Sequence, residues 1–433
     1  MDRNTVNSPP LYFPRYVVRT LQVQLSDTSV RDVCFIYTED RFHIPIRVTN
    51  IQDYVSEGRT GKSPLNATTG NRCQYFCQML NYILVDNRKR YGIDCLLQIN
   101  KPMMDDFFIW YAGHPSEDGS RNTQATVNTC VRVCANTMAG YARAFPGKTA
   151  VSIEEMLKWG TIVNHYGERV SVQLPNFPIY RGEVKESIFR DLNSDAMTLL
   201  LRLVFEHDRG IFFAVCCQVF TGMRAGEVCN MWQESDPYGP CIRIAYDSAG
   251  FETVSINVME RRRLRADNVS VGRIKKPRIV QVYTEFVHAF LTAWESHREW
   301  LSGQNFDHEY SPMFLNSQGR AMTWDNYDNR LERVVRKWFC PALHDSGDRT
   351  LKLMAEEIER RGFGSHAFRH FFTVQLVLRG VSPAELARWR GDRSIESAVT
   401  YYQNKGEINA AARMAGAKLT ESLLGITGGN RHE

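Results

Sequence analysis

Apolar and polar residues alternate over the first sixty positions of the chain. In "YVVRTLQVQL" and "VCFIYTEDRFHIPIRV", β-branched and aromatic residues recur at every second position, which is the spacing of a half-buried strand. The polar stretch "SEGRTGKSPLNATTGN", from Ser56 to Asn71, has the composition of a linker. We therefore predict a small strand-containing unit over residues 1–60.

From Asn71 onward the apolar residues take the spacing of α-helices. They recur at three and four positions in "CQYFCQMLNYILV", "MMDDFFIWYAG" and "TVNTCVRVCANTMAGYARAF". The two prolines of "VQLPNFPIYRGEVKE" then mark a boundary near residues 172–186. We predict a helical unit over residues 71–165.

The third region, residues 180–425, combines long helical patterns with a few strands. "SDAMTLLLRLVFEHDRGIFFAVCCQVFTGMRAGEVCNMW" has helical periodicity interrupted at Gly210 and Gly222. "CIRIAYDSAGFETVSINV" and "RIVQVYTE" alternate like strands around a basic segment, and the pattern is helical again from "EFVHAFLTAWESHREWL" onward. The predicted fold class is mainly α with a small antiparallel β-sheet.

Composition supports a soluble protein of two or three domains. A chain of 433 residues exceeds one compact core, and 43% apolar with 23% charged residues is typical of globular proteins. The chain has no run of eighteen uncharged apolar residues, and the start "MDRNTVNSPPLYFPR" lacks an apolar signal core, so we expect neither a membrane span nor export. Eleven cysteines without a regular framework favour a reducing compartment.

The net charge of +5 is modest, but its distribution is uneven. Between Arg261 and Arg278 eight Lys/Arg stand against one acid, and between Arg360 and Arg393 seven stand against two. Such clusters can neutralise phosphates, which favours a nucleic-acid partner. A solvated basic face would explain the clusters equally well unless they also carry chemistry.

Two short motifs have residue types that could bind an anion. In "TGMRAGEV", Arg224 begins a predicted helix and Glu227 stands one turn later, either as a phosphate-binding arginine with its support or as an ordinary ion pair. In "HAFRHFF", His366 and Arg369 share one helix face. Together with a tyrosine and the basic segment, these groups would supply what phosphodiester cleavage needs without a metal ion.

Four blocks of the sequence resemble, in order, the signature blocks of the tyrosine recombinases, the integrase family of phage, transposon and chromosome-dimer-resolving enzymes. They are "TGMRAGEV", "GRIKKPRIVQV", "HAFRHFF" and "WRGDRSIESAVTYYQ". The resemblance covers about residues 180–425 and implies a tyrosine-recombinase catalytic domain there. It further implies that the helical unit is the family's core-binding DNA-clamp domain and that residues 1–60 are a candidate accessory DNA-binding or assembly unit.

The family's catalytic roles fall on matching positions. Arg224 and Arg369 resemble the two arginines that clamp the scissile phosphate, and Glu227 resembles the acid that supports the first of them. His366 matches the first position of the H-x-x-R box, which orients the phosphate and assists proton transfer.

The nucleophile is one of two adjacent tyrosines. The family's spacing from Gly391 implies Tyr401, whereas Tyr402 would point about 100° round a helix toward packing. Because the free pKa of tyrosine is near 10, either residue would need positive charges and a proton acceptor beside it.

The residue after the glycine of "WRGDR" departs from the family pattern. Where the family usually has His or Trp, this chain has Asp392, and an ionised carboxylate cannot donate a hydrogen bond to phosphate. Three explanations stay open. Asp392 is turned to hold Arg369, Arg390 or Arg393, or a neighbour such as Trp389 fills the missing place, or the activity is lowered.

The family's hairpin lysine, which gives a proton to the leaving 5′ oxygen, falls within "VSVGRIKKPRIVQV". We select Lys275, with Lys276 and Arg273 as close rivals, although an arginine scarcely deprotonates and is a poor acid. The residues predicted to contact DNA are Arg273, Lys276, Arg278, Arg390 and Arg393.

The motifs imply no cofactor and no metal ion. The sequence has no P-loop, dinucleotide fingerprint or acidic metal cluster. Two cysteine pairs, Cys73/Cys77 and Cys130/Cys134, could bind zinc if their helices faced each other, but buried core cysteines explain the i,i+4 spacing better.

The resemblance implies a site-specific DNA recombinase or integrase of a mobile genetic element. It would act through a 3′-phosphotyrosyl intermediate without metal or ATP, as a homo-tetramer on two double-stranded recombination sites. A type IB topoisomerase or a hairpin telomere resolvase would use similar chemistry, and a DNA-binding regulator would keep the fold without catalysis. We expect no membrane partner, and a location in the cytoplasm with the nucleoid if the source is prokaryotic or in the nucleus if it is eukaryotic.

Overall fold

The computed structural model consists of two compact units that divide near residue 185. The described residues are 14–24, 30–55, 67–115, 119–163, 168–184, 188–236, 239–246, 250, 252–259, 263–267, 269–305 and 310–392. Arg393 and both candidate nucleophiles, Tyr401 and Tyr402, lie outside them. The finer division at residues 60, 165 and 180 stays a prediction.

The first unit starts with the predicted strands. They form a three-stranded sheet in the order β1-β2-β3, with β1 at Arg15–Gln24, β2 at Val30–Glu39 and β3 at Pro45–Val48. The β2–β3 turn is closed by the Asp40 carboxylate, which accepts hydrogen bonds from the backbone N–H groups of Phe42 at 2.8 Å and Ile44 at 2.9 Å.

Helices make up most of the rest of this unit, as their periodicity predicts. They are α1 (Ala67–Leu80), α2 (Arg88–Tyr91), α3 (Lys101–Gly113), α4 (Gln124–Ala144) and α5 (Ile153–Met156), with a π-helical turn at Asn81–Asp86 after α1. Side chains cap the two long helices that follow: Asn100 accepts from Met103 N at the start of α3, and Thr123 accepts from Thr126 N at the start of α4.

The cysteine pairs of α1 and α4 lie in the core of the first unit. Cys73, Cys77, Cys130 and Cys134 are all at most 2% exposed. Burial raises the pKa of Cys73 to about 12, and it raises the pKa of Cys77 and Cys134 as well. Protonated thiols in this setting pack as small apolar groups.

One hairpin of the first unit was not predicted. Strands β4 (Leu157–Val163) and β5 (Arg169–Pro175) pair antiparallel, with Leu157 opposite Pro175 and Val163 opposite Arg169. Their alternation is short and the outer positions include an apolar residue, Trp159, at 71% exposure. The prediction for residues 71–165 was therefore based on the long helical patterns that precede the hairpin, and it missed the hairpin.

The second unit is helical around one small sheet, which confirms the predicted fold class. Its helices are α6 (Ser194–His207), α7 (Arg209–Thr221), α8 (Ala225–Cys229), α9 (Val287–Ser302), α10 (Trp324–Val334), α11 (Cys340–Asp345), α12 (Arg349–Arg361), α13 (His366–Leu378) and α14 (Pro383–Arg390). Strands β6 (Ile242–Tyr246), β7 (Glu252–Val258) and β8 (Arg278–Gln281) form the antiparallel sheet with β7 in the middle. A π-helical turn at Val335–Phe339 separates α10 from α11.

Helix α7 is the centre of the second unit. Every residue from Gly210 to Thr221 is buried, and the helix packs against α6, α9 and α13. The interruption predicted at Gly210 was wrong, because the break is at Asp208 and Gly210 lies within α7, where an added Cβ would stand 3.2 Å from the Trp300 ring. The interruption predicted at Gly222 is confirmed, since Gly222 ends α7 with a φ of 65°.

Within the described residues, no helix combines the length and the apolar character that a membrane span requires.

Candidate active site

Arg224 lies in the short turn between the central helix α7 and the short helix α8. Gly222 turns the chain in the left-handed conformation, and Arg224 occupies the N-cap position of α8 with an extended backbone. The side chain is 20% exposed, so it is mostly buried but still partly accessible to solvent. This junction follows from local sequence, because a glycine accepts the left-handed conformation that ends α7.

Glu227 binds both the backbone and the side chain of Arg224. The carboxylate is 1% exposed and accepts from the Arg224 backbone N–H at 3.0 Å, from Arg224 Nη1 at 3.2 Å and from Arg278 Nη2 at 2.9 Å. Burial by itself would raise the pKa of Glu227, but the charge of Arg278 and the hydrogen bonds from both arginines outweigh it and hold the pKa below its usual value. Glu227 is therefore an ionised anchor for two arginines.

Arg369 reaches the same place from the first turns of α13. Its side chain is 7% exposed; Nη1 donates to the carbonyl of Gly222, and Nη2 donates to the Arg390 carbonyl at 2.9 Å. Burial and the neighbouring charge of Arg224 lower the pKa of Arg369 to about 9, so the group is still a cation at neutral pH. The contact with Gly222 ties the second arginine to the turn that presents the first.

The two arginines converge on one oxygen atom of Asp392. Its Oδ1 accepts from Arg369 Nη2 at 2.8 Å and from Arg224 Nη2 at 3.2 Å, while Oδ2 lies 2.9 Å from Arg390 Nε. The contacts to Arg369 and Arg390 fit the explanation that Asp392 is turned to hold neighbouring arginines. The contact to Arg224 was not predicted. The Trp389 ring packs against Tyr283, with 5.5 Å between the ring centroids.

Two glycines bring the hairpin lysine close to α8. The backbone at Gly272 passes so near Gly226 that a Cβ on Gly272 would stand 2.7 Å from the Gly226 Cα. Asn230 bridges the contact, because its Nδ2 donates to the carbonyls of both glycines, at 2.6 Å for Gly226 and 3.1 Å for Gly272. Lys275 follows three residues later.

The surroundings of Lys275 change its acidity. Partial desolvation and the charges of Arg224, Arg273 and Arg369 lower the pKa of its ammonium group, although Asp392 opposes the shift. A lysine with a lowered pKa is a better proton donor than an ordinary one near neutral pH. The rivals Lys276 and Arg273 are both exposed on the same segment.

His366 stands at the first residue of α13 and is exposed to solvent. Desolvation by the surrounding protein and the charges of Arg190, Arg369, Arg224 and Lys275 lower the pKa of its imidazole. The ring is therefore neutral at neutral pH and can accept a proton. Arg190 was missed by the sequence reading, because it stands far from every motif and only the fold brings it here.

Helix α10 supports both sides of the site. The Tyr327 hydroxyl donates to Gln218 Oε1 at 2.6 Å, and Gln218 Nε2 donates to the carbonyl of Met223 at 3.2 Å, immediately before Arg224. One residue further along, burial raises the pKa of Asp328, and Ser365, immediately before His366, opposes this shift. No sequence motif marked these residues, since their function depends on packing between distant segments.

The residues predicted to contact DNA differ in their exposure. Arg273 and Lys276 are exposed, whereas Arg278 and Arg390 have side chains only 11% and 10% exposed and contact site residues. Arg278 binds Glu227 and donates to the Trp389 carbonyl at 3.3 Å. A DNA contact of these four residues stays a prediction, as does the function of Arg393, which lies outside the described residues.

Taken together, the site is a basic cluster that can bind an oxyanion. The guanidinium groups of Arg224 and Arg369 converge on one point. The groups that interact electrostatically with them include Lys275 and His366, both of which have a lowered pKa. Over the described part of the chain, no group of three or more His, Cys, Asp or Glu residues is arranged to hold a metal ion. The chemistry that the two arginines, Lys275 and His366 can supply is charge stabilisation and proton transfer.

Comparison with solved structures finds similarity to DNA-bound recombinases. The XerH site-specific recombinase bound to difH substrate, in a pre-cleavage complex, is 15% identical, with a TM-score of 0.46 over 79% of this chain and 79% of that chain. The Tn1549 transposon integrase in complex with transposon right end DNA is 13% identical, with a TM-score of 0.46 over 86% of this chain and 97% of that chain. A lambda integrase dimer bound to a core site is 11% identical, with a TM-score of 0.43 over 79% of this chain and 73% of that chain.

No protein-family model matches the chain, and no curated protein matches it.

Proposed function

We propose that this chain is a site-specific DNA recombinase that cleaves and rejoins DNA through Tyr401. The observation that carries the proposal is the convergence of Arg224 and Arg369, whose Nη2 atoms lie 3.2 and 2.8 Å from a single carboxylate oxygen. Two guanidinium groups aimed at one point form a seat for a tetrahedral oxyanion. The four sequence blocks of the tyrosine recombinases support the choice of a DNA phosphodiester as that anion.

In the proposed reaction the Tyr401 oxygen attacks the scissile phosphorus. An Oη–P bond forms, the P–O5′ bond breaks, and the products are a 3′-phosphotyrosyl link and a free 5′ hydroxyl. His366, neutral at neutral pH, is suited to take the tyrosine proton directly or through water, and Lys275 is suited to protonate the leaving oxygen. Rejoining is the reverse attack by a 5′ hydroxyl, and the bond energy stays in the link throughout.

The arginines would stabilise the charge that develops on the non-bridging oxygens. Removal of one such donor typically slows a reaction by roughly 10²–10³-fold. Glu227 and Arg278 contribute by holding Arg224 in place, so they act as positioning residues. The proposed partner is double-stranded DNA carrying two recombination sites, on which four copies of the chain would assemble.

A second candidate, a DNA-binding regulator without catalysis, is favoured by one observation. Asp392 stands where the family has a hydrogen-bond donor, and it occupies the arginines with a negative charge. If this charge could not be moved, DNA would bind without being cleaved.

A nicked suicide substrate tests the proposal. The duplex carries the ends of the mobile element that encodes the chain, with a nick placed so that the short fragment bearing the released 5′ hydroxyl diffuses away after cleavage. We expect covalent protein–DNA adducts with the wild type and with Tyr402→Phe, and none with Tyr401→Phe. Adducts that persist in Tyr401→Phe and disappear in Tyr402→Phe would overturn the choice of nucleophile.

Four further measurements separate the alternatives. Specific binding of the same DNA without any adduct would favour the regulator. Relaxation of a supercoiled plasmid that lacks the element's ends would favour a type IB topoisomerase, closed hairpin ends would favour a telomere resolvase, and exchange of strands between two sites would favour the recombinase.

A further inference from the structure

The carboxylate of Asp392 lies where a phosphate oxygen held by both arginines would lie. Its Oδ1 is the atom on which Arg369 Nη2 and Arg224 Nη2 converge, at 2.8 and 3.2 Å. A phosphate oxygen that accepts from the same two N–H groups needs the same position. The internal carboxylate and an incoming oxyanion are therefore alternatives for one place.

Hydrogen-bond stoichiometry strengthens this conclusion. A guanidinium Nη atom carries two hydrogens. Arg369 Nη2 directs one to the carbonyl of Arg390 and one to Asp392 Oδ1, so this nitrogen can serve a phosphate only by releasing one of the two. The carbonyl belongs to the backbone of α14, whereas the carboxylate sits on a side chain that can rotate.

Further contacts fix the position of Asp392 beside the two arginines. Its side chain is 12% exposed, its Oδ2 lies 2.9 Å from Arg390 Nε, and its backbone N–H donates to the Ala387 carbonyl at 3.0 Å. Ala387 and Arg390 belong to α14, which ends at Gly391 with a φ of 64°. The end of α14 therefore positions the Asp392 carboxylate beside Arg224 and Arg369.

We infer that Asp392 is an internal anion that competes with the scissile phosphate for Arg224 and Arg369. When the chain binds DNA, the carboxylate must rotate away or share the arginines with the phosphate. It keeps the buried guanidinium groups paired until DNA arrives, and it weakens the binding of oxyanions. The identity of the anion rests on the proposed function, but the competition itself is a property of the seat and can be measured without DNA.

The probe is inorganic phosphate, titrated at constant ionic strength into the full-length chain and followed by calorimetry. Asp392→Asn keeps the shape and one acceptor oxygen but removes the charge. We expect it to bind phosphate at least about tenfold more tightly than the wild type, equivalent to about 1.4 kcal/mol. In Arg224→Ala/Asp392→Asn the gain should disappear, because one of the two converging donors is absent.

The control is Asp267→Asn. Asp267 is also a carboxylate paired with two arginines, Arg265 at 2.5 Å and Arg320 at 3.3 Å, but it makes none of the contacts of the site. Its substitution should leave phosphate affinity unchanged. Asp392→His, which places the family's residue at this position, should reproduce the gain and replaces Asp392→Asn if that variant fails to fold.

Phosphate affinity that stays equal to or below that of the wild type in the folded Asp392 variants overturns the inference. A gain that persists without Arg224 also overturns it, because the phosphate would then bind elsewhere. The suicide substrate separates this test from the proposed function. A gain in phosphate affinity without covalent adducts leaves the inference standing and removes the recombinase, whereas adducts without a gain do the opposite.

Discussion

Replacement of Glu227 by glutamine probes whether one buried carboxylate holds the basic site together. The residue accepts three hydrogen bonds, from the Arg224 backbone at 3.0 Å, Arg224 Nη1 at 3.2 Å and Arg278 Nη2 at 2.9 Å. Glutamine has the same shape, but its NH₂ group would face a donor of one arginine. At least one charge-assisted hydrogen bond is then lost, Arg278 loses its carboxylate partner, and Arg224 keeps only Asp392 among the described residues.

The expected cost is large because the ion pairs are shielded from water. Side-chain exposures are 1% for Glu227, 11% for Arg278 and 20% for Arg224. Breaking a buried ion pair by removing one partner typically costs about 3–5 kcal/mol. Because glutamine retains one acceptor oxygen, we expect about 3 kcal/mol, which would lower the urea midpoint by roughly 1–3 M for typical m-values.

The pH dependence provides an independent check. The pKa of Glu227 is lower in the folded protein than in the unfolded chain, where it is near 4.3. The stability that its ionisation contributes is therefore fully present above about pH 4.3 and is lost as the pH falls through the folded value. The wild type should lose more stability on acidification than Glu227→Gln does.

Urea unfolding followed by tryptophan fluorescence measures both effects. Trp110 and Trp159 lie in the first unit and the remaining tryptophans in the second, so the signal reports mainly on the second unit. The matched control is Glu357→Gln, whose exposed carboxylate also bonds to two arginines, Arg360 at 2.8 Å and Arg361 at 3.2 Å. Equal midpoints for Glu227→Gln and the control, or equal pH profiles for Glu227→Gln and the wild type, would refute the reasoning.

Three further predictions concern Lys275 and the segment that carries it. Lys275→Met should slow cleavage of ordinary DNA by roughly 10²–10⁴-fold, and a substrate with a 5′-bridging sulfur, which leaves without a proton, should restore the rate; an equal defect on both substrates would contradict proton donation. The wild-type rate should fall as the pH rises through the lowered pKa of Lys275, below the ordinary lysine value near 10.4. Gly272→Ala places a Cβ 2.7 Å from the Gly226 Cα, which is backbone and cannot rotate away. It should cost about 1–3 kcal/mol in urea unfolding and slow cleavage, and a variant with wild-type stability and rate would show that the close approach is unnecessary.

Much of the fold could be predicted from local pattern. Helical periodicity correctly indicated α6, α7 and the helices from α9 onward, and alternation indicated β6 to β8. The prediction failed where neighbours outweighed local preference. Gly210 lies within α7, where the close Trp300 ring leaves little room for a side chain, and the helix breaks instead at Asp208.

The sequence by itself determined which residue types stand in which order. Arg224 after a glycine, His366 and Arg369 one turn apart, and the basic segment around Lys275 are properties of short stretches, and local rules are sufficient to recognise them. Glu227 could be paired with Arg224 for the same reason, because residues three apart on a helix are neighbours.

Only the tertiary structure decided what these residues face. Arg224 and Asp392 are 168 positions apart in the chain but meet at 3.2 Å, and Tyr327 supports Arg224 through Gln218 across 109 positions. Sequence spacing contains no information on such contacts, because they depend on how α8, α10, α13 and α14 pack around α7. The conflict between a carboxylate and two arginines that are predicted to bind phosphate was visible in the sequence. Only the fold shows that the Asp392 carboxylate accepts from both Arg224 and Arg369 at one oxygen atom. The fold buries these charged groups together, and buried charges are stable only when they are paired.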